Sequence, residues 1–331
     1  MKIVIPGGTG QVGRLLARAF TRDHHEVVTL GRTRKPEAWR VVKWDPCAVT
    51  NWAGELDGAD VVINLAGRSV NCRYTRANRD EILQSRVHSV KSVGQAIAAT
   101  KCPPKVWLQA STAAIYAHSL DKEYDEVTGR LGGNETGAPD TWKFSIEVAT
   151  AWERGLDQAT TPHTRKVKLR SAMIMSPDAD GIFDTLLGLI RLGVGGTAGS
   201  GRQYVSWIHE SDFVRAIYRL IENDTFEGAV NLASPNPLPN KEFMAILRQA
   251  YGFPFGLPAT EWMLSLGALF LRTETELILK SRRVVPGRLL KDGFKFDFPD
   301  WESAARELCD RYRANRKHTF QRELKVDQPL S

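Results

Sequence analysis

The sequence predicts an α/β protein with a doubly wound parallel sheet, and three features support this fold class. Short β-branched runs alternate with longer helical patterns along the first two-thirds of the chain. Several of these runs are apolar almost throughout, as in parallel strands that are covered on both faces. A glycine-rich segment follows the first run directly. Such alternation implies right-handed βαβ units and a sheet with helices on both sides.

The elements can be assigned in chain order from these patterns. The short apolar runs predict strands at Lys2–Pro6, Glu26–Leu30, Val41–Trp44, Asp60–Leu65, Lys105–Ala110 and Lys166–Met175. The intervening segments predict helices at Val12–Arg22, Arg76–Thr100 and Pro139–Gln158.

The last third of the chain has a different pattern. Gly193–Gly201 predicts a flexible loop, and Gly252–Pro258 marks another boundary. Helical patterns follow at Glu261–Lys280 and at Phe298–Arg313, where the pattern is amphipathic. We expect these segments to form a smaller, mixed lobe on the carboxyl ends of the sheet strands, where such folds bind ligands.

Composition excludes several classes of protein. Apolar residues make up 42% and charged residues 25% of the 331 residues, so the chain is neither disordered nor collagen-like. The net charge of +7 permits anionic ligands. The basic residues form no single block and no known nucleic-acid module, so we expect no nucleic-acid partner.

The cysteines and the apolar runs indicate the compartment. Four cysteines lie far apart with no Cys-x-x-Cys, so we expect a reducing environment, no disulfides and no metal site. The longest apolar stretch, Trp262–Leu271, is about half the length that spans a bilayer. The expectation is a soluble cytoplasmic protein without a membrane partner.

The glycine-rich segment has the spacing of a dinucleotide-binding loop. It runs from Gly7 to Gly13 and fits both Gly-x-x-Gly-x-x-Gly and Gly-x-Gly-x-x-Gly. The loop follows a strand and opens a helix whose free N–H groups would face a pyrophosphate. This context predicts a Rossmann domain, with cofactor contacts from Gly7, Thr9, Gly10, Gln11, Val12 and Gly13.

The end of the second predicted strand distinguishes between the two nicotinamide cofactors. NAD sites usually carry an acid there, whereas NADP sites carry an arginine that holds the 2′-phosphate. The strand leads into Arg32, with Arg34 and Lys35 adding positive charge, and no acid occurs before Glu37. The cofactor is therefore predicted to be NADP(H).

Taken together, the motifs resemble the extended short-chain dehydrogenases/reductases of the NAD-dependent epimerase/dehydratase group. The resemblance is narrower to the atypical subgroup of epimerase family proteins, which carry their own C-terminal domain. It extends to about Leu308 and rests on the glycine loop and on Leu30–Arg32, Asn64–Gly67, Ser85–Arg86, Trp152–Glu153, Leu169–Ser171, Trp207–His209 and Gly293–Phe296.

The resemblance implies further cofactor contacts. Those after the fourth strand would come from Leu65, Ala66 and Gly67, and those on the next helix from Glu81 and Arg86. Near the nicotinamide, the resemblance places Ile174. Without the resemblance, the two charged residues would be a solvated helix face, and Leu65, Ala66 and Ile174 would be core.

These features divide the chain into three predicted regions. Residues 1–176 form mainly the NADP-binding Rossmann domain. Residues 177–314 form mainly the substrate lobe and C-terminal domain, with segments that could return to the sheet. Residues 315–331 are a polar tail that we expect to be poorly ordered.

The catalytic pair of the superfamily is missing. The usual enzymes carry Tyr-x-x-x-Lys on one helix face, where the lysine lowers the pKa of the phenol for proton transfer. The matching positions here are Phe144 and Val148, which cannot titrate. The standard mechanism is therefore absent, or the proton donor lies elsewhere.

Polar residues near the expected site offer substitutes. Ser111 matches the serine that normally binds the substrate carbonyl, and Tyr116 follows in the next loop, from which it could project into the cleft. We take these two as the catalytic candidates, with Thr112 beside them. Less favoured are His118, Lys143 and His209, the last as a helix cap; Trp152 and Trp207 are expected in the core.

Two functions remain open at this point. The first is an NADP(H)-dependent oxidoreductase or epimerase that acts on an unknown small molecule with non-standard acid/base residues. The alternative is an inactive NADPH-binding sensor or regulatory protein. The sequence predicts neither the substrate, the reaction direction nor the oligomeric state.

Overall fold

The computed structural model describes residues 1–33, 36–179, 181–258 and 279–326, with side chains through Arg316. The strands are β1 Lys2–Pro6, β2 Glu26–Gly31, β3 Arg40–Lys43, β4 Val61–Asn64, β5 Val106–Thr112, β6 Arg165–Ser171, β7 Met173–Met175, β8 Tyr204–Val205, β9 Trp207–His209, β10 Gly228–Leu232 and β11 Leu238–Pro239. The helices are α1 Gln11–Arg22, α2 Arg76–Ala98, α3 Asp140–Gln158, α4 Ile182–Arg191, α5 Glu210–Glu222, α6 Asn240–Tyr251, α7 Gly287–Lys291 and α8 Trp301–Val326. Short 3₁₀ turns cover Asn51–Leu56 and Ala113–Ile115.

Within the described residues, seven strands form one parallel sheet in the order β10-β6-β5-β4-β1-β2-β3. The central strand β1 pairs with β2 on one side and with β4 on the other. The chain therefore winds outward from β1 in both directions, which leaves a crevice between the carboxyl ends of β1 and β4. The predicted Rossmann fold class is confirmed.

Alternating residues of the buried strands supply two apolar layers. Ile3 and Ile5 of β1 pack on the side of α1 and α5, and Val4 packs on the side of α2 and α3. All three side chains have no solvent exposure. A sheet covered on both faces presents its ligand site at the ends of the strands, because the faces are occupied by helices.

The predicted strand Lys166–Met175 is wrong as a single element. It breaks at Ala172, whose N–H donates to the Leu232 carbonyl at the end of β10. The chain then leaves the main sheet, and β7 pairs in parallel with β9. The partner strands β10 and β9 come from later in the sequence, so the break has no local signal.

The last helix is longer than the predicted one, which ends at Arg313. Residues 315–326 of the predicted polar tail 315–331 continue α8 as far as Val326, 327–331 lie outside the described residues, and poor order of the tail stays a prediction. No glycine or proline interrupts α8, and Glu302 and Glu307 pair with arginines one turn later. The predicted helix Glu261–Lys280 lies almost wholly outside the described residues.

The C-terminal elements have a separate core. Trp301, Leu308 and Tyr312 of α8 pack against α4 and α6. The ring of Trp301 stacks on that of Phe243 with 4.1 Å between centroids. No helix in the described part of the chain is long and apolar enough to cross a membrane.

Candidate cofactor and active site

Three glycines of the loop after β1 are required by the packing of the protein, whether or not a ligand is bound. Gly7 has φ +76°, and a Cβ atom there would lie 2.7 Å from the Ala66 backbone. A Cβ on Gly8 would lie 2.6 Å from the Thr29 side chain, and one on Gly13 would lie 2.4 Å from Gly8. Side chains at these positions would therefore push the loop away from β2, β4 and α1.

Gly10 is different, because the space beside it is open. A Cβ atom there would meet only the Gly7 carbonyl oxygen, at 3.5 Å. Gly10 is exposed and caps α1 without a side-chain hydrogen bond, and the first turn of α1 carries no acid. The first N–H groups of the helix are thus available to an anion, and the open space beside Gly10 fits a pyrophosphate.

The other predicted loop residues hold the loop in place. A Cβ on Gly31 would meet the Thr9 side chain at 2.4 Å, so Thr9 covers the end of β2. The Gln11 amide reaches the backbone at Gly181, just before α4. Val12 packs against the core on the α1 side. Their direct contact with a cofactor stays a prediction.

Arg32 follows β2 at the mouth of the crevice. Its side chain is exposed, and among the described residues it has no hydrogen-bond or ion-pair partner. An unpaired guanidinium at this point fits a bidentate contact with a 2′-phosphate. The supporting residues Arg34 and Lys35 lie outside the described residues.

A buried amide network shapes the loop after β4. The Asn64 side chain donates to Gln109 at 2.9 Å and accepts from the Ala66 N–H at 3.1 Å. It also lies 3.4 Å from the Ser89 hydroxyl of α2. The network holds Ala66 against Gly7, and Leu65 donates its N–H to Pro6. The resemblance implies cofactor contacts from Leu65 and Ala66, which stay a prediction, and it does not indicate this support.

Arg86 places a cation beneath the same loop. It donates to the carbonyls of Arg68 and Ile82 and lies over the Trp152 ring at 4.8 Å. Burial lowers the pKa of Arg86 to about 10, and no carboxylate of the described chain pairs with it. A Cβ on Gly67 would lie 3.0 Å from its guanidinium carbon. The cation therefore adjoins the crevice and lacks a protein anion.

Two other residues predicted to contact the cofactor, Glu81 and Ile174, have protein neighbours of their own. Glu81 is largely exposed and pairs with Arg68 at 3.0 Å, so its contact with a cofactor stays a prediction. Ile174 lies on β7, opposite Ile208 of β9, rather than at the end of β6. Its role near the nicotinamide also stays a prediction.

The positions of the missing catalytic pair are filled by an apolar cluster. Phe144 and Val148 of α3 are buried together with Tyr74 and Ile82. The two residues share one helix face, as the four-residue spacing predicts. The ring of Tyr74 meets the ring of Phe144 edge-on, with 5.1 Å between centroids. The structure therefore has no proton-transfer group at either position.

The prediction that Tyr116 projects into the cleft is wrong. Its side chain is 1% exposed, and its hydroxyl donates to Asn231 at 2.8 Å while it accepts from Arg170 at 2.9 Å. Burial raises the pKa of this phenol, which makes it a weaker acid. Tyr116 is thus a part of the packing between β5, β6 and β10.

Ser111 belongs to the same buried network. Its hydroxyl donates to Glu153 of α3 at 2.7 Å, and Glu153 forms a two-pronged ion pair with Arg170 at 2.8 Å. Burial alone would lower the pKa of Arg170, but the Glu153 carboxylate raises it. The structure directs the Ser111 hydroxyl toward α3, and its catalytic role stays a prediction.

Thr112 lies on the opposite face of β5 from Ser111, because successive side chains of a strand alternate. Its hydroxyl accepts from the Ala114 N–H at 3.1 Å, and within the described chain its own proton has no acceptor. Thr112 can therefore donate to a ligand. The alternation along β5 was the sequence signal that separated the two hydroxyls.

A buried lysine near this strand was missed. Lys280 is 1% exposed, and its ammonium donates to the Ala114 carbonyl at 2.8 Å. The next residue donates its N–H to Nδ1 of His118, whose pKa burial lowers. Lys280 follows the stretch outside the described residues, and nothing local links it to β5.

The less favoured candidates have structural roles. The His209 ring caps α5 by accepting from the Ser211 N–H at 3.1 Å, and its other nitrogen meets Glu307 at 2.9 Å. Lys143 is exposed on α3. Trp152 and Trp207 are buried. The interpretations of His209 as a cap and of both tryptophans as core are confirmed.

Comparison with known proteins identifies the family. The model for the NAD dependent epimerase/dehydratase family matches residues 3–141, and that for a domain of unknown function, DUF1731, matches 259–308. "Epimerase family protein YfhF" of Bacillus subtilis is 31% identical over 316 residues, which cover 93% of this chain and 98% of the relative. The chain belongs to the epimerase family proteins. The resemblance stated from the motifs is therefore confirmed.

Two human matches agree with this assignment. "Epimerase family protein SDR39U1" of Homo sapiens is 30% identical over 311 residues, covering 93% of this chain and 99% of the relative. A crystal structure of human SDR39U1 (isoform2) with NADPH has a TM-score of 0.81 at 28% identity, and the match covers 94% of this epimerase family protein and 99% of that chain. The fold and its C-terminal region are shared.

Proposed function

We propose that this epimerase family protein binds NADP(H) in the crevice between β1 and β4. The observation that carries the proposal is the pair formed by Gly10 and Arg32. The first leaves space at the N-terminus of α1, and the second is an arginine after β2 that has no partner among the described residues. Each matches one anionic group of the cofactor, the pyrophosphate and the 2′-phosphate.

The cation Arg86 adds support. It donates to two backbone carbonyls but pairs with no carboxylate in the described chain, and an anionic ligand beside Gly67 would offset the cost of burying its charge. Human SDR39U1, similar along most of the chain, has been crystallised with NADPH. When bound, the cofactor would supply a hydride.

We further propose that the protein is an oxidoreductase acting on a carbonyl or alcohol of an unknown small molecule. Thr112 can donate a hydrogen bond to a carbonyl oxygen near the end of β5. Phe144 and Val148 supply no acid or base, so the proton donor must be a group other than the usual tyrosine.

One observation favours a second function. Ser111 and Tyr116 are both committed to internal hydrogen bonds, and the vacated catalytic positions are apolar. A protein that binds NADPH without turnover, as a sensor or regulator, would need no acid/base group.

The test is titration of NADPH and NADH, followed by NADPH consumption with a panel of aldehydes and ketones. Tight binding of NADPH with consumption supports the oxidoreductase. Tight binding with no consumption supports the sensor. Failure to bind NADPH contradicts both.

A further inference from the structure

The ring of Tyr74 lies beside Phe144 and Val148, the positions on α3 where the usual enzymes carry the catalytic tyrosine and lysine. Tyr74 precedes α2, and its ring lies edge-on to that of Phe144 at an interplanar angle of 71°. The same buried cluster contains Val148, which stands where the usual lysine would be. Thus a tyrosine from the loop after β4 packs directly beside the α3 position that the usual tyrosine occupies.

The other tyrosines are placed elsewhere. All seven lie in the described part of the chain, and only Tyr74 belongs to the cluster of Phe144 and Val148. The remaining six have other neighbours: Tyr116 with Asn231, Tyr124 with Tyr116, Tyr204 with Arg283, Tyr218 with Asp23, Tyr251 with Arg313 and Tyr312 with Asp184.

A positive charge is available to this phenol. Arg86 donates to the carbonyl of Ile82 at 2.9 Å, and Ile82 belongs to the same buried cluster as Tyr74. An ionised Tyr74 would favour the charged form of this guanidinium. A cation beside a phenol stabilises the phenolate, which is the effect the usual lysine has on the usual tyrosine.

An ion pair also lies beside the two rings. Arg79 of α2 lies over the Phe144 ring at 5.0 Å and donates to the Tyr74 carbonyl. Its guanidinium also pairs with Asp140 at the start of α3, at 2.6 Å. Arg79 is thus compensated, whereas Arg86 has no carboxylate partner in the described chain.

We propose that Tyr74 is the proton donor of this site and that Arg86 stabilises its phenolate. This inference rests on the proposed oxidoreductase function and assigns its missing acid. A tyrosine of the loop between β4 and α2 would then donate the proton that a tyrosine of α3 donates in the usual enzymes of the superfamily.

The proposed step transfers one hydride and one proton to the substrate carbonyl. A bound reduced nicotinamide supplies a hydride to the carbonyl carbon and is oxidised as that carbon is reduced. The Tyr74 O–H bond breaks while a new O–H bond forms on the carbonyl oxygen, which yields an alcohol. The Tyr74 phenolate then regains its proton from water.

The first test measures tyrosine ionisation by near-ultraviolet phenolate absorbance during a pH titration. We expect the earliest phenolate signal to be absent in Tyr74→Phe and to move to higher pH in Arg86→Met. Tyr251→Phe is the matched control, since it removes the same hydroxyl far from the cleft. Identical early signals in Tyr74→Phe and Tyr251→Phe would overturn the proposal, whatever the activity.

The second test separates this inference from the proposed function. NADPH binding is measured by fluorescence, and NADPH consumption with the carbonyl panel. We expect Tyr74→Phe to bind NADPH normally and to reduce carbonyls about 10²–10⁴-fold more slowly, with Tyr251→Phe unchanged. Normal reduction by Tyr74→Phe refutes the role of Tyr74 alone. Absence of NADPH binding in the unaltered protein refutes the function itself.

Discussion

The two sides of the cleft treat their polar groups in opposite ways. Around β1 and β2, the N-terminus of α1 has no side-chain cap and Arg32 has no partner among the described residues. Around β5 and α3, Ser111, Glu153 and Arg170 satisfy one another in the interior. The first side leaves its polar groups available to a ligand, and the second uses them within the protein.

This difference shows that cofactor binding and proton transfer are separable properties of the fold. The glycine loop depends on backbone shape within a short stretch of chain. The acid/base pair depends on two side chains, and their replacement by Phe144 and Val148 leaves the helix and its packing intact. A protein of this fold can therefore keep its cofactor-binding loop while its proton donor lies on another element or is absent.

The largest expected effect is on the cofactor side. Gly10→Val should abolish NADPH binding while the protein stays folded, because the new side chain would enter the open space without touching the core. Calorimetric titration and circular dichroism measure the two properties. Gly54→Val is the matched control, since a Cβ at Gly54 would meet no atom within 4 Å. Normal binding by folded Gly10→Val would mean that the pyrophosphate lies elsewhere.

On the opposite side we expect a loss of stability. Glu153→Ala removes the partner of buried Arg170 and should lower the free energy of unfolding by about 3–5 kcal/mol. Urea unfolding measures the change. Glu147→Ala, an exposed position on the same helix, should change it by less than about 0.5 kcal/mol. A stable Glu153→Ala protein with impaired turnover would instead indicate that the network acts in the chemistry.

Cofactor preference provides a smaller effect. Arg32→Ala should weaken NADPH binding by about 1.5–3 kcal/mol, or roughly ten- to a hundredfold, and leave NADH binding nearly unchanged. Parallel titrations of the two cofactors measure this. Arg22→Ala, at the exposed end of α1, serves as the control. An equal loss for both cofactors would contradict the contact with the 2′-phosphate.

The smallest effect concerns the junction between α5 and α8. Burial lowers the pKa of His209 below its ordinary value of 6.5, although the Glu307 carboxylate favours the charged ring. The unfolded chain therefore takes up this proton at a higher pH than the folded protein. The neutral His209 ring therefore stabilises the folded protein at a pH above the pKa that His209 has in the unfolded chain. This stabilisation is lost as the pH falls through the lower pKa that His209 has in the folded protein.

The measurement is the urea midpoint at neutral and mildly acidic pH. We expect the unaltered protein to lose more stability on acidification than His209→Gln does. A steeper loss in His209→Gln would show that the charged ring, held by Glu307, is the favoured folded form.

Local patterns predicted the parts of the site that are built from neighbouring residues. The strand, glycine turn and helix of Lys2–Arg22 follow one another within one βαβ unit, so the short-range spacing of their residues is enough to predict them. The position of Arg32 directly after β2 was predicted for the same reason. The alternation of β5 also contained the signal that Ser111 and Thr112 face opposite ways.

Long-range partners decided what the sequence could not indicate. The hydroxyl of Tyr116 is bound by Asn231, 115 residues later, and by Arg170, 54 residues later. The strand predicted at Lys166–Met175 divides because β10 and β9, both from later in the chain, take up its two halves.

By itself, the sequence determined the order of the elements from β1 to the start of β6, the cofactor loop and the loss of the usual acid and base, since each follows from residue type and short-range spacing. Only the tertiary structure decided which polar side chains remain available. A hydroxyl or a guanidinium is used internally or left for a ligand according to the partners that packing brings near it. Ser111 and Tyr116 therefore became buried links, whereas the Thr112 hydroxyl has no acceptor within the described chain.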